Sequence, residues 1–114
     1  MREKIALSHG SGGRQTHDLI RSVFAKHFGL KEPMTDSALL TVSSEMIAFT
    51  TDSYVVNPIF FPGGNIGKLA ICGTVNDLAV SGADPKYIAA SFIIEEGLEI
   101  IDLDRIAASM ADEA

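Results

Sequence analysis

The chain has one cysteine in 114 residues. A single thiol cannot close an intrachain disulfide, so a disulfide framework and a cysteine-rich metal site are both excluded. Basic residues are scarce. Nine lysines and arginines stand against 15 aspartates and glutamates, for a formal net charge of −6. That balance argues against a nucleic-acid-binding face. It also does nothing to attract phosphates, so a nucleotide bound here would need divalent cations for neutralisation. No apolar run approaches the roughly 20 residues needed to span a bilayer. The N-terminal stretch MREKIALSHGSGGR lacks the apolar core of a secretory leader, and the cytoplasm is the expected compartment. There is no internal repeat and no low-complexity tract. His9, His17 and His27 do not have the spacing of a ligand set, and His27 reads as a partly buried helix residue. What remains is sufficient for a core: hydrophobic residues make up 46% of the chain, which is inconsistent with disorder, and the length fits one small domain.

The stretch that organises the chain is residues 50–85. It follows from a strand expected over residues 45–56, where Met46, Ala48, Thr50, Asp52, Tyr54 and Val56 share one face and Ile47, Phe49, Thr51, Ser53 and Val55 the other. Both faces are largely apolar, and then Thr50, Thr51, Asp52 and Ser53 come together. Four polar residues in a β-rich run are costly to bury without partners. Pro58 and Pro62-Gly63-Gly64 break the chain. Asn65 is placed to cap a helix beginning at Ile66, which shows Ile66, Leu69, Ala70, Gly73 and Asp77 along one side. Gly67 and Gly73 weaken a helix, so their presence predicts close packing against a neighbour. Cys72 reads as a small buried apolar residue, and mid-helix Asp77 as an acid that needs a partner. Gly82 is the expected C-cap, with Pro85 beyond it.

Ahead of this stretch lies Ser8-His9-Gly10-Ser11-Gly12-Gly13, a loop rich in backbone donors that feeds into a helix over residues 14–28. Ile20, Val23, Phe24, His27 and Phe28 recur there at helical spacing, and Gly29 closes it. A glycine-rich loop running into a helix N-terminus is a general anion-binding device; the alternative is a mobile loop that merely caps a helix. The loop is not a Walker A motif. Thr16 stands six residues past Gly10, but Arg14 and Gln15 are not the required Gly-Lys. Nor is it a dinucleotide fingerprint, since Gln15 occupies the third glycine position.

Residues 31–36, with Pro33, form a linker. Residues 37–42 are expected as a strand headed by Asp36 and joined through a Ser43-Ser44 turn to the strand at 45–56. A third strand is expected over residues 86–95, with Ile88, Ala90, Phe92 and Ile94 on one face. Residues 103–114 begin an amphipathic helix with Ile106, Ala107 and Met110 on its apolar side, and Asp102 or Asp104 favours its first turn. The order helix, strand, strand, helix, strand, helix makes an α+β domain, a mixed or antiparallel sheet with helices on one face. The chain stops in or at the end of that helix, which is the pattern of a truncated protein. Asp36, Asp52 and Asp77 suit magnesium held mainly through phosphate and water. Alternatively Asp36 caps a turn, Asp52 bonds to a loop and Asp77 pairs with a buried base. Lys68 reads as a solvated helix residue.

The segments LSHGSGGRQTHDLI, DSALL, FTTDSYVVNPIFFPGGNIGKLAICGTVNDLAVSGADP and ASFIIEEGL closely resemble the N-terminal half of the HypE family of hydrogenase maturation factors, over nearly all of residues 7–98. VNDLAVSGADP after GGNIGKLAICGT is similar to the wider group of aminoimidazole ribonucleotide synthetase, selenophosphate synthetase and thiamine-monophosphate kinase. The resemblance implies a PurM-like ATP-binding and dimerisation domain over residues 1–114. It also implies a homodimer whose sheets meet in a β-barrel and an ATP held across the dimer seam. His9, Gly10, Ser11, Gly12 and Gly13 would fold over the triphosphate, with Lys68 and Asn76 as further nucleotide contacts. Asp36, Asp52 and Asp77 would hold magnesium. In that family a carbamoyl group delivered by HypF sits on a C-terminal cysteine thiol. ATP phosphorylates its oxygen, loss of phosphate leaves a thiocyanate, and the cyanide passes to iron through a HypC–HypD complex. Residues 1–114 lack the C-terminal half and its cysteine. Cys72, inside the expected core helix, cannot replace that cysteine, so this stretch alone is expected to hold no catalytic residue and to be inactive. A different class also fits: a dimerisation and partner-docking module with nucleotide chemistry supplied elsewhere. Acids placed inside apolar elements are what such a module has no reason to carry.

Overall fold

The computed structural model describes residues 3–32, 34–43 and 46–114. Pro33 of the linker, Ser44 of the expected turn and Glu45 at the start of the expected strand lie outside them. Glu3 to Ile5 lie against residues 97–100: Ile5 N–H donates to Leu98 O at 2.7 Å, Gly97 N–H to Ile5 O at 2.8 Å and Ile100 N–H to Glu3 O at 3.0 Å. A 3-10 turn, Leu7–Gly10, leads into α1 (Arg14–Leu19), a π-helical segment (Ile20–Ala25) and α2 (Lys26–Phe28). The helix expected over 14–28 is therefore interrupted by wide π turns, which admit one extra residue per hydrogen-bonded ring. Leu19 and Val23 are its buried side chains, and Gly29 ends it at φ +68°, a conformation glycine adopts without Cβ strain.

Residues 57–65 carry a cis Asn57–Pro58 bond and then a two-residue hairpin. β1 (Phe60–Phe61) pairs antiparallel with β2 (Gly64–Asn65), in the register Phe60 to Asn65 and Phe61 to Gly64. Pro62 and Gly63 form the turn, with Gly63 at φ +91°. The Pro-Gly-Gly signal, read from sequence as a chain break, is thus a hairpin that delivers the chain straight into α3 (Ile66–Val80). Asn65 caps α3 as expected: its side chain accepts from Lys68 N–H at 3.1 Å. At the other end Gly82 stands at φ +77°. Gly82 N–H donates to Ala79 O and Ala83 N–H to Leu78 O, both at 3.0 Å, the paired closure that a left-handed residue after the C-cap permits.

The packing face of α3 differs from the expected one. Gly67 and Ile71 are its buried residues, not the row of Ile66, Leu69, Ala70, Gly73 and Asp77. The helix is apolar nearly all round, so periodicity alone cannot select a face. Cys72 falls on the exposed side, which corrects the buried reading. The close approaches predicted for the two glycines are both present. A Cβ on Gly67 would lie 2.7 Å from Ile106 O, and one on Gly73 would strike the Tyr54 hydroxyl.

α4 (Ile100–Glu113) begins three residues earlier than expected, with Glu99 as its N-cap. It is the shared wall of the core. Leu103 and Ala107 join Ile5, Leu19 and Val23 in one cluster, while Ile106 and Met110 join Ile71 in the other; Phe28 and Phe92 border both. The expected strands at 37–42, 45–56 and 86–95 are not paired into a sheet. Among the described residues the sheet is β1 and β2 alone, so the α+β architecture holds with a much smaller sheet. The inside-outside alternation nevertheless survives where a helix lies behind the chain. Phe92 and Ile94 pack inward while Ile93 is exposed, and Tyr54 packs inward while Val55 is 97% exposed. A ladder requires a partner edge, and these segments find none among the described residues.

Candidate functional site

The glycine-rich loop is folded. His9 N–H donates to Ala6 O at 3.0 Å and Ser11 N–H to Ser8 O at 3.3 Å. The Ser11 hydroxyl donates to Ser8 O at 2.8 Å. Ala6 N–H donates to His9 Nδ1 at 2.9 Å, which leaves the imidazole proton on Nε2. Gly12 N–H donates to Thr16 Oγ1 at 2.9 Å, and that hydroxyl donates to His9 O at 2.7 Å. The loop is therefore closed by its own hydrogen bonds and by the Thr16 side chain. Beside it opens a mainly apolar cavity of about 280 Å³, lined by Ile5, Leu7, His9, Thr16, Phe24 and Ile94 among others.

The remaining expected site residues lie on the surface. Lys68 and Asn76 both lie on α3, roughly 12 Å apart along its axis and about a quarter-turn apart around it. Lys68 Nζ donates to Gly63 O at 3.3 Å and stands 3.8 Å from Glu113 Oε1. Asp36, Asp52 and Asp77 are all exposed. Asp52 Oδ1 accepts from Ser53 N–H at 2.8 Å. Asp77, expected to need a partner because it was placed in an apolar helix, is solvated instead. None of the three makes an ion pair among the described residues. Nor do the described residues gather three or more His, Cys, Asp or Glu side chains where a metal could sit. The structure thus forms the loop fully and leaves the three aspartates apart.

Two charged arrangements were not expected. Asp104 Oδ1 receives Lys26 Nζ at 2.8 Å and His27 Nε2 at 2.9 Å, tying α2 to α4. The Lys26 hydrogen bond holds the Asp104 carboxyl below its ordinary value; partial burial opposes this and His27 reinforces it. Nothing local signals the pair, since His27 and Asp104 are 77 residues apart. The Cys72 thiol lies 3.5 Å from Glu113 Oε2. Local desolvation pushes it up, and the Glu113 carboxylate adds to that, so it is less a nucleophile than a free cysteine.

A family profile described as "AIR synthase related protein, N-terminal domain" matches residues 34–114. The carbamoyl dehydratase HypE of Rhodobacter capsulatus is 52% identical, covering 98% of this chain and 34% of that protein. The HypE of Escherichia coli K12 is 50% identical, covering 96% and 35%. The chain therefore spans about a third of the length of the curated relatives it matches. Among solved structures, that of hydrogenase maturation protein HypE in complex with ATP superposes with a TM-score of 0.85. It is 48% identical and covers 93% of this chain and 32% of that one.

Proposed function

This chain belongs to the family of AIR synthase related proteins through their N-terminal domain, and from that premise we propose that it is the ATP-binding, dimer-forming part of a HypE-type carbamoyl dehydratase. The observation that carries the proposal is the combined likeness to HypE: about half of the residues identical over nearly the whole chain, and a backbone that follows the ATP complex. In this reading the full-length protein carries a carbamoyl group on a C-terminal cysteine sulfur. Attack of the carbamoyl oxygen on the terminal phosphorus of ATP expels ADP and turns that oxygen into a leaving group. The nitrogen then loses its protons as the C–O bond breaks, leaving thiocyanate and phosphate. The cyanide is destined for the iron of a nickel-iron hydrogenase, with HypF as carbamoyl donor and the HypC–HypD complex as acceptor.

The chain's own residues position and neutralise, which is most of what phosphoryl transfer requires. His9 to Gly13 enclose the triphosphate, and Lys68 and Asn76 meet it from α3. Asp36, Asp52 and Asp77 are exposed hard oxygen donors without an ion-pair partner among the described residues; the chain does not gather them into a ready-made cage, and in this reading they would meet magnesium held largely by phosphate and water. Magnesium would supply the positive charge that a chain of net charge −6 lacks. Leu39, Phe49, Val55 and Ile93 are each more than four-fifths exposed on the expected strands. Apolar surface on that scale supports association, and a two-fold homodimer whose strands complete a shared barrel is the simplest closure. No helix among the described residues is long and apolar enough to cross a membrane, in keeping with a cytoplasmic enzyme. Replacing Asp77 by asparagine in the full-length protein tests the assignment: ATP hydrolysis should fall by about a hundredfold or more with the fold retained, and unchanged hydrolysis removes Asp77 from the site.

A further inference from the structure

We infer that Thr16 is a positioning residue that holds the glycine-rich loop in its phosphate-receiving shape. The inference rests on the reading of residues 9–13 as the triphosphate cradle. Thr16 lies on the first turn of α1, and its hydroxyl is used in both directions. It accepts from Gly12 N–H at 2.9 Å and donates to His9 O at 2.7 Å. One side chain thereby ties the two ends of the loop to each other and to the helix behind them. The arrangement inverts the usual one, in which a side chain at the N-cap satisfies donors inside the helix. Gly13, the N-cap here, has no side chain to offer, and Thr16 reaches back past it in the manner of the third residue of a capping box.

The loop needs such a tie. Glycines 10, 12 and 13 have many accessible backbone states, and Gly12 stands at φ +81°. An untied loop would lose that freedom when it closes on a ligand, whereas a loop shaped in advance loses little. The β-branched side chain of Thr16 adds stiffness, since its rotamers are few. The hydroxyl also consumes the Gly12 N–H, so the phosphate is received by the loop's overall shape and its other donors.

The test uses the full-length protein carrying Thr16→Val, which keeps the shape and removes the hydroxyl, and Thr16→Ser, which keeps the hydroxyl. Hydrogen exchange at the Gly12 amide is followed without nucleotide, and magnesium–ATP binding is followed by calorimetry. Two lost neutral hydrogen bonds predict Gly12 exchange faster by about tenfold or more, and binding about tenfold weaker, in Thr16→Val. Thr16→Ser should stay within about threefold of wild type on both counts. A Thr16→Val variant with wild-type exchange overturns the tie. One with fast exchange but wild-type affinity overturns its positioning role. Absence of magnesium–ATP binding in the wild-type protein would instead overturn the nucleotide reading, and the inference with it.

Discussion

Single residues bear unequal loads in this fold, and the two helix glycines show why. A methyl group on Gly67 meets the backbone oxygen of Ile106 and the Met110 side chain, and that backbone oxygen cannot move without shifting α4. A methyl on Gly73 meets the Tyr54 ring, which sits on a segment with no ladder to hold it. Gly67→Ala should therefore cost about 1–3 kcal/mol through overpacking, and Gly73→Ala less, as read from denaturant midpoints of the two variants; equal losses would contradict the packing described for α3 and α4. Asp104 has a different dependence. Its folded-state pKa lies below the unfolded value, so its contribution is present above the ordinary carboxylate range. It is lost as pH falls through the folded value. Lys26 is more than half exposed, so the pair is screened and Asp104→Asn should cost only about 1 kcal/mol at neutral pH. Thermal unfolding followed to progressively lower pH should bring variant and wild type together as the Asp104 carboxyl protonates in the folded protein, and a difference that stays constant down that series would mean that Asp104 acts through packing.

At the scale of elements, what could be read from sequence was what is decided locally. The Asn65 cap, the left-handed Gly82 and the close approaches at Gly67 and Gly73 each follow from a residue's own conformational chemistry. The apolar side of α4, Ile106, Ala107 and Met110, was readable because its other side is charged. The face of α3 was not, because its apolar residues surround the axis, and Cys72 was misplaced for the same reason. The tie between Asp104 and the Lys26-His27 pair joins residues remote in sequence, which no local pattern reports. Of the candidate site, the loop at His9 to Gly13 was legible as a glycine-rich stretch leading into a helix. Its internal order was not, because that depends on the Thr16 hydroxyl turning back. The core itself predicts a graded response: Met110→Ala should cost about 2–5 kcal/mol as a buried truncation, whereas truncation of exposed Val80 should be nearly silent in the same unfolding experiment.

For the whole molecule, the decisive fact is that three segments expected as strands join no sheet among the described residues. Segments 46–56 and 86–95 keep period-two alternation around Tyr54 and Phe92, where helices back them, while residues 37–42 are exposed throughout, and Leu39, Phe49 and Val55 are almost completely exposed. Such a surface is a template for pairing. In sedimentation at micromolar concentration the full-length protein should run as a homodimer, and a clean monomer would count against the shared barrel. The chain also covers only about a third of its relatives, and a nucleotide site that buries most of its ligand needs enclosing walls. The most direct measurement is calorimetric titration of magnesium–ATP into the full-length protein and into residues 1–114 under one buffer. Saturable binding to the full-length protein is predicted, with affinity for the 114-residue chain weaker by about tenfold or more. A full-length protein that takes up no magnesium–ATP would contradict the account at its centre.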